Sequence, residues 1–351
     1  MKAYVLNDIG DFSLKEVDRP ALTEGNVIVK VEAAGICGSD IPRVYTTGAH
    51  THPLILGHEF SGRIVEAEEN LKELIGKRVG IYPLIPCGKC TQCKKKNYEM
   101  CKNYNYLGSR CNGGFAEYVS VPKWNILELP DEVSYEQAAM LEPSAVAMHA
   151  IRRIDMENVK SVAVCGLGTI GLLITMLLKE RGIENIITIG NKNIQRKMIN
   201  KIDDSIYYCD VNSQDVEKFG LEKTNGEGVE VFFECVGRND TLVQGINSTS
   251  AKGNIVLVGN PYSDMQMTRD VYWKILRKQI KIQGTWNSSY GFSGDDWENI
   301  INYIKEKRIS PEILITHRFK FEKLFIGFEI MRDKREEYVK IMGALMQNKT
   351  E

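Results

Sequence analysis

Three side chains with metal-binding chemistry lie far apart along this chain: a thiol at Cys37 in C-G-S-D-I-P-R, an imidazole at His58 in G-H-E-F and a carboxylate at Glu142 in L-E-P. They form a mixed sulfur, nitrogen and oxygen donor set of the kind Zn²⁺ accepts. Three protein ligands with a fourth position left to water or substrate is the pattern of a catalytic rather than a structural zinc. Two further carboxylates, Asp40 and Glu59, stand close by in sequence. Taken singly, Cys37 reads equally well as a small buried hydrophobe and His58 as a satisfied core histidine. The company they keep favours the metal.

Part of that company is a second cysteine set. Cys87, Cys90, Cys93 and Cys101 fall in C-x2-C-x2-C-x7-C. Two-residue gaps let a tight turn aim successive thiolates at one point, so the run reads as one tetrahedral four-cysteine zinc site. An iron–sulfur cluster is the alternative, but the x7 gap and the lack of a proline after the last cysteine depart from the ferredoxin spacing. The lobe from 87 to 101 has little apolar content and needs such a staple; a structural zinc supplies on the order of 10 kcal/mol of folding free energy in small peptides. Cys111, Cys165, Cys209 and Cys235 read as ordinary buried thiols. Lys94-Lys95-Lys96 inside the lobe reads as a solvated tip.

Composition sets the outer bounds. The chain has 351 residues, 43% hydrophobic and 26% charged, with a net charge of −1. That is ordinary globular chemistry with bulk for about two domains. It offers no basic surface to a nucleic acid or an anionic membrane. The start, M-K-A-Y-V-L-N-D-I-G, lacks a basic segment followed by an apolar run, and the most apolar stretch, from Ile170 to Leu178, is about half a membrane span. A cytoplasmic location is expected, in which nine cysteines point to metal or chemistry rather than disulfides.

Short alternating runs such as Val27-Ile28-Val29-Lys30-Val31 predict half-buried strands over the first 35 residues. Cys37 then falls where strand gives way to helix, and Ile55 to Val65 delivers His58 and Glu59 from an extended segment. Gly76 to Ile81 and Gly113-Gly114-Phe115-Ala116-Glu117-Tyr118-Val119 read as further turn-and-strand units, and helical spacing runs from Tyr135 past Glu142. The texture changes near Lys160. Ser161-Val162-Ala163-Val164-Cys165 is an apolar run of the kind buried in a parallel sheet. It leads into Gly166-Leu167-Gly168-Thr169-Ile170-Gly171 and a long apolar helix. Strand, glycines and helix in that order form a dinucleotide-binding fingerprint, with the pyrophosphate at the helix N-terminus. Strands at Ile186–Ile189, Val229–Phe233 and Ile255–Val258 continue the alternation to about Gly284. Val236 and Gly259, which follow the last two, join Gly166, Gly168, Thr169, Ile170 and Gly171 as candidate cofactor contacts. Expected boundaries are 1–145 for the first domain, 146–285 for the nucleotide domain and 286–351 for a return to the first.

In this order and at these separations, G-I-C-G-S-D, G-H-E-F-S-G, the cysteine lobe, G-G-F-A-E-Y, L-E-P and G-L-G-T-I-G resemble the zinc-containing medium-chain dehydrogenases over nearly the whole chain. The resemblance implies an α/β protein in which a GroES-like catalytic domain is interrupted by a Rossmann domain, assembled as a homodimer or homotetramer. It implies two Zn²⁺ per chain, a catalytic one on Cys37, His58 and Glu142 and a structural one on the four-cysteine lobe. The catalytic zinc would lower the pKa of a substrate hydroxyl, and hydride would pass to a nicotinamide. Ser39 would be the first acceptor of the departing proton and Asp40 would orient His58 through its other ring nitrogen. Glu59 reads either as a transient ligand or as a neighbouring carboxylate that never touches zinc. Glutamate rather than cysteine at the third ligand position resembles the polyol dehydrogenases. C-G-S-D-I-P-R, T-G-A-H and Y-L-G-S-R resemble those acting on polyol phosphates of the galactitol 1-phosphate type.

A phosphorylated substrate needs cations at its far end, and Arg43, His50 and Arg110 are the candidates, since a guanidinium fork matches phosphate geometry. Trp286, Asn287 and Tyr290 are candidate lining residues, with core packing the alternative for the aromatics. The acidic residue that binds the ribose of NAD about twenty residues past the glycines is missing: the strand ends Ile189-Gly190-Asn191-Lys192, with Arg196 nearby. Gly190, Asn191, Lys192 and Arg196 therefore favour NADP over NAD. Rival readings are a sorbitol- or xylitol-type enzyme for free polyols, a ribulose-5-phosphate reductase (H-A-I-R-R), and a butanediol or threonine dehydrogenase. Outside enzymes, they are a zinc-ribbon nucleic-acid binder on an inactive dehydrogenase fold and a structural protein that keeps the cofactor but has lost zinc.

Overall fold

The strand Asn26–Ile36 is the axis of the first half of the molecule. It pairs antiparallel with Glu59–Ala67, from Val27 opposite Ala67 to Gly35 opposite Glu59, and with Tyr118–Pro122 over its first five residues. Beyond Ala33 its free edge is taken by Lys340–Ala344. Sequence alternation predicts one buried face here. Instead Val27, Ile28, Val29 and Val31 are all buried and only Lys30 is exposed: the core takes Val27, Val29 and Val31 on one face, and the helix Tyr135–Ala139 also packs against the strand. β-branched residues suit that position, packing on a pleated surface. Phe60, Phe115 and Phe328 lie in the core of this part of the chain.

The structure, a computed structural model, describes residues 1–344. They fall into two units: Met1–Glu142 together with the segment from Ser289 onward, and Pro143–Ser288.

The second unit is a six-stranded parallel sheet of Ser161–Cys165, Asn185–Gly190, Tyr207–Asp210, Val229–Glu234, Thr249–Leu257 and Lys281–Gly284. Counted along the chain, their spatial order is third, second, first, fourth, fifth, sixth. This doubly wound order reverses direction between the first and fourth strands, where such sheets bind dinucleotides outside their carboxyl ends. Ser161–Cys165 is buried throughout, as its unbroken apolar run predicts. The helix Thr169–Glu180 follows it, buried from Gly171 to Leu178. Among the described residues no helix is long and apolar enough to cross a membrane.

Candidate active site and metal centres

The strand Asn26–Ile36 ends one residue before Cys37, and the chain turns into a short helix, Asp40–Pro42, that continues as a wider turn over Arg43–Thr47. Asp40 is fully buried and acts as the hub of this turn. Its Oδ2 accepts the Cys37 backbone N–H at 3.0 Å, and its Oδ1 accepts from Arg43 Nη1 at 3.0 Å. Oδ1 also faces His58 Nδ1 at 3.5 Å. That contact is an ion-pair distance and too long for a good hydrogen bond, so buried Nδ1 has no hydrogen-bond partner among the described atoms. Burial alone would push the Asp40 carboxyl up, but His58 and Arg43 outweigh it and hold it below the usual carboxylate value. Burial likewise disfavours the imidazolium of His58, yet Asp40 and Cys37 raise the ring well above its ordinary pKa. Charge of this sign invites a cation in place of the ring proton, since a metal ligand must be deprotonated.

Beside it, the loop Gly113-Gly114-Phe115 backs the segment carrying His58. Its three backbone N–H groups donate to the carbonyls of Ile55, Gly57 and Leu56. This gives the G-G-F motif a physical task, bracing the residues just before the imidazole.

Cys37, His58 and Glu59 offer ligand atoms within 4.8 Å of one another. Glu142, expected as third ligand, is not in that trio. Its Oε1 accepts from the hydroxyl of Tyr106 at 3.2 Å, and it lies close enough to feel the charges of His58 and Glu59. Burial pushes the Glu142 carboxyl up to about 7, with His58 opposing and Glu59 reinforcing the shift. Tyr106, raised well above the usual phenol value first by burial and then by Glu142, stays a proton donor.

Glu59 has a partner that sequence reading missed. Lys340, only 2% exposed, forms an ion pair with Glu59 Oε2 and donates to the Ile36 carbonyl at 3.0 Å. A side chain on Gly35 would stand 2.5 Å from Glu59 Oε2 and 2.8 Å from Lys340 Cε, which explains the glycine before Ile36-Cys37. The available signal was a lysine heading the apolar run Ile341-Met342: a lysine is almost never fully buried unless paired.

Ser39, the expected proton acceptor, donates its hydroxyl to Cys37 Sγ at 3.2 Å and accepts Arg43 Nη1 at 2.9 Å. Arg43, His50 and Arg110 come together: after burial, the charges of Arg110 and Arg43 push the His50 imidazole below its ordinary pKa. Arg110 stacks its guanidinium over Tyr104 at 4.7 Å, and its buried Nε has no acceptor among the described atoms.

In the lobe, Cys90 and Cys93 Sγ are 3.5 Å apart, with Cys87 to Cys93 and Cys90 to Cys101 each at 4.0 Å. Four thiolates at about 2.3 Å from one tetrahedral ion are separated by about 3.8 Å. The observed spacings bracket that value and leave no room for inorganic sulfide and several irons, so the set fits a single structural zinc. Lys94, Lys95 and Lys96 are exposed, a solvated tip. Of the remaining cysteines, Cys165 and Cys209 are buried as expected, whereas Cys111 and Cys235 are only half-buried.

In the nucleotide unit each glycine of the fingerprint has its own reason. Gly166 has φ of +96° and a Cβ there would meet Val236 Cγ2 at 2.6 Å; a Cβ on Gly171 would stand 2.0 Å from the Gly166 carbonyl oxygen. Gly168, at the start of the helix Thr169–Glu180, opens on free space. A turn, a close helix–strand packing and an open approach to a helix N-terminus are what a pyrophosphate requires. Gly259, after the fifth strand, lies against Val236 and Gly237 at the same ends. At the end of the second strand, Gln195 Oε1 accepts the backbone N–H of both Asn191 and Lys192, fixing the turn after Gly190. Arg196 lies over Tyr208 at 5.8 Å. Trp286 is exposed, while Asn287 takes a φ of +52° with its buried amide nitrogen unpartnered among the described atoms. Tyr290 is core: it stacks on Tyr82 at 4.4 Å and donates to the Ile126 carbonyl at 2.8 Å.

Residues 23–131 match the family described as alcohol dehydrogenase GroES-like domain, and residues 169–306 that described as zinc-binding dehydrogenase. The chain is 32% identical to galactitol 1-phosphate 5-dehydrogenase of Escherichia coli K12, over 92% of this chain and 94% of that one. It is 33% identical to a sorbitol dehydrogenase of Halalkalibacterium halodurans, over 91% and 92%. The crystal structure of galactitol-1-phosphate dehydrogenase from Escherichia coli superposes with a TM-score of 0.90 at 29% identity, covering 98% of this chain and all of that one. With these family matches and relatives of this identity spanning nearly its whole length, the chain belongs to the zinc-dependent medium-chain alcohol and polyol dehydrogenases.

Proposed function

We propose that this enzyme oxidises the secondary alcohol of a polyol phosphate, of the galactitol 1-phosphate type, to the ketose phosphate, with NADP as hydride acceptor. The observation that carries the reading is the meeting of Arg43, His50 and Arg110. The charges of two guanidinium groups, with burial, depress the His50 imidazole, and Asp40, which pairs with Arg43, is itself buried and shared with His58. Such a cluster is a site for a dianion.

Cys37 and His58, with Glu59 or Glu142 as the carboxylate, would hold the catalytic zinc. Zinc supplies Lewis acidity that eases loss of the hydroxyl proton, and the nicotinamide supplies the hydride acceptor. Ser39 Oγ accepts from Arg43 and donates its own proton to Cys37, which leaves one lone pair to accept a hydrogen bond from the substrate hydroxyl; taking up that proton requires Ser39 to turn its own proton away from Cys37 and release it to solvent. Asp40 fixes the orientation of both ligand side chains. Lys340 neutralises Glu59 so that its charge does not oppose a developing oxyanion. Trp286 and Asn287 are further substrate contacts, and Tyr290 is not, being core. Gly166 to Gly171, Val236 and Gly259 receive the pyrophosphate side of the cofactor; Gly190 with Lys192 and Arg196 favours a 2′-phosphate, because the strand Asn185–Gly190 ends without a carboxylate of its own, and Asp210, opposite Gly190 on the next strand, is taken up by Asn212. A homo-oligomer is supported by Tyr272, Trp273 and Leu276, each about half exposed on the helix Arg269–Lys278.

Initial rates on the zinc-loaded protein with galactitol 1-phosphate, galactitol and sorbitol, each with NADP and NAD, test this reading. Preference for the phosphorylated polyol with NADP is expected. Equal or faster turnover of free polyols would reduce it to a sorbitol-type dehydrogenase.

A further inference from the structure

One guanidinium nitrogen joins the two ends of this site. Arg43 Nη1 donates both to Ser39 Oγ at 2.9 Å and to Asp40 Oδ1 at 3.0 Å. Through these two acceptors it reaches Cys37 and His58. Ser39 donates on to Cys37 Sγ, and Asp40 holds the Cys37 backbone and faces His58. The remaining N–H donors of Arg43 have no acceptor among the described residues, and the side chain keeps 23% of its surface open. His50 and Arg110 stand near enough for their charges to be felt. A planar guanidinium has donors on two edges in a fixed geometry, so it can serve a carboxylate on one and a phosphate on the other at once.

Resting on the polyol-phosphate reading, we infer that Arg43 is a positioning residue as well as a phosphate contact: a dianion on its free edge clamps it against Ser39 and Asp40 and so tightens the proton-accepting hydroxyl and both ligand side chains. The phosphate then acts as an activator of the chemistry in addition to a handle for binding. Without it, Arg43 is free to leave Ser39, whose hydroxyl then loses one of its two anchors. Misplacement of a positioned group by about 1 Å costs up to about a hundredfold in rate, so the activation has room to be large.

The test uses the full zinc-loaded enzyme and splits the substrate in two. Galactitol is turned over with and without phosphite dianion as a detached phosphate. Phosphite is expected to raise kcat for galactitol at least about tenfold. Variant R43K keeps a cation beside Asp40 but has no second edge; it should fold, retain two zinc ions by elemental analysis, and lose the activation. Variant R43A should lose at least about tenfold in kcat on galactitol itself, since Ser39 then keeps only its bond to Cys37, and guanidinium ion in solution should restore part of that loss. Variant R110A should instead raise KM for galactitol 1-phosphate and the phosphite concentration needed, leaving the saturated activation in place.

Failure of phosphite to activate the wild-type enzyme, or an R43K effect confined to KM, would overturn the clamp and leave Arg43 an ordinary phosphate contact. Failure of the polyol-phosphate reading looks different: galactitol 1-phosphate would show no advantage over galactitol in the wild-type enzyme. In that case the kcat of R43A on galactitol still decides the half of the inference that concerns Ser39 and Asp40, an unchanged value refuting it.

Discussion

The two metal centres are built in opposite ways. The lobe collects four identical ligands within fifteen residues of chain, on short turns and a single-turn helix that ends in exposed lysines. The other centre draws Cys37 from the end of a central strand, His58 and Glu59 from the next strand, Glu142 from the start of the helix Leu141–Ile151, and Lys340 from a strand nearly three hundred residues downstream. In the lobe the ligands are the structure and the metal supplies the folding free energy. At the proposed catalytic centre the side chains come from elements that a hydrophobic core already holds, so a metal there is expected to contribute little to folding. Stability and activity should therefore part company between the two.

The sharpest break is between C37A and C93S. Loss of a catalytic ligand removes several kcal/mol of Lewis-acid stabilisation, so C37A should lower kcat by about a thousandfold or more while the melting curve hardly moves. C93S should do the reverse at first sight: one zinc lost by elemental analysis, early proteolytic cutting within 87–101, and a lowered Tm. If C37A unfolds the chain, or C93S melts like wild type, the division of labour is wrong.

Next in size is Lys340. K340M leaves Glu59 charged and alone in the core, which costs about 3–5 kcal/mol in denaturant unfolding. The double variant E59Q/K340M removes both charges and should recover most of it. Equal loss in single and double variants would mean that Lys340 acts through packing alone.

A pH effect follows from Glu142, whose carboxyl burial pushes from 4.5 up to about 7 in the metal-free fold. A raised folded pKa contributes stability that is complete below 4.5 and disappears as pH rises through 7. Zinc-stripped protein should accordingly lose stability between those limits, and zinc should flatten the slope, since it needs the carboxylate. An identical slope in E142Q would assign the effect to another group.

How much of this was legible before the fold is decided by sequence distance. The lobe and the fingerprint are local as patterns: the close approaches at Gly171 come from Gly166 and Val164, although Gly166 itself is pressed by Cys235 and Val236 from the end of the fourth strand. That Cys37, His58 and Ser39 belong together was readable because their types suit one chemistry and a resemblance links them. Lys340, Tyr106 and the bracing of His58 by Gly113 and Gly114 were not, since each works through a partner brought in by sheet pairing or loop packing. Arg43 was read for its charge alone; that its Nη1 would be shared by Ser39 and Asp40 depends on the tight turn after Cys37, which no periodicity announces. The half-buried reading of Asn26–Ile36 failed for a related reason, because alternation cannot see the other elements that pack on the strand.

The smallest expected effect concerns whether Glu142 belongs to the metal at all. Its Oε1 takes a hydrogen bond from Tyr106, whose ring also lies edge-on to His58 at 5.9 Å. In Y106F that donor is gone and the carboxylate loses about 1 kcal/mol of stabilisation in the folded protein. If Glu142 is a ligand, Tyr106 orients it, and Y106F should weaken zinc binding by about ten- to a hundredfold in a chelator competition, as loss of a ligand's outer partner does. If Glu59 is the carboxylate ligand instead, chelator competition should read the same for Y106F as for wild type, and E59Q should show the loss. The two variants together choose between the carboxylates without needing a turnover measurement.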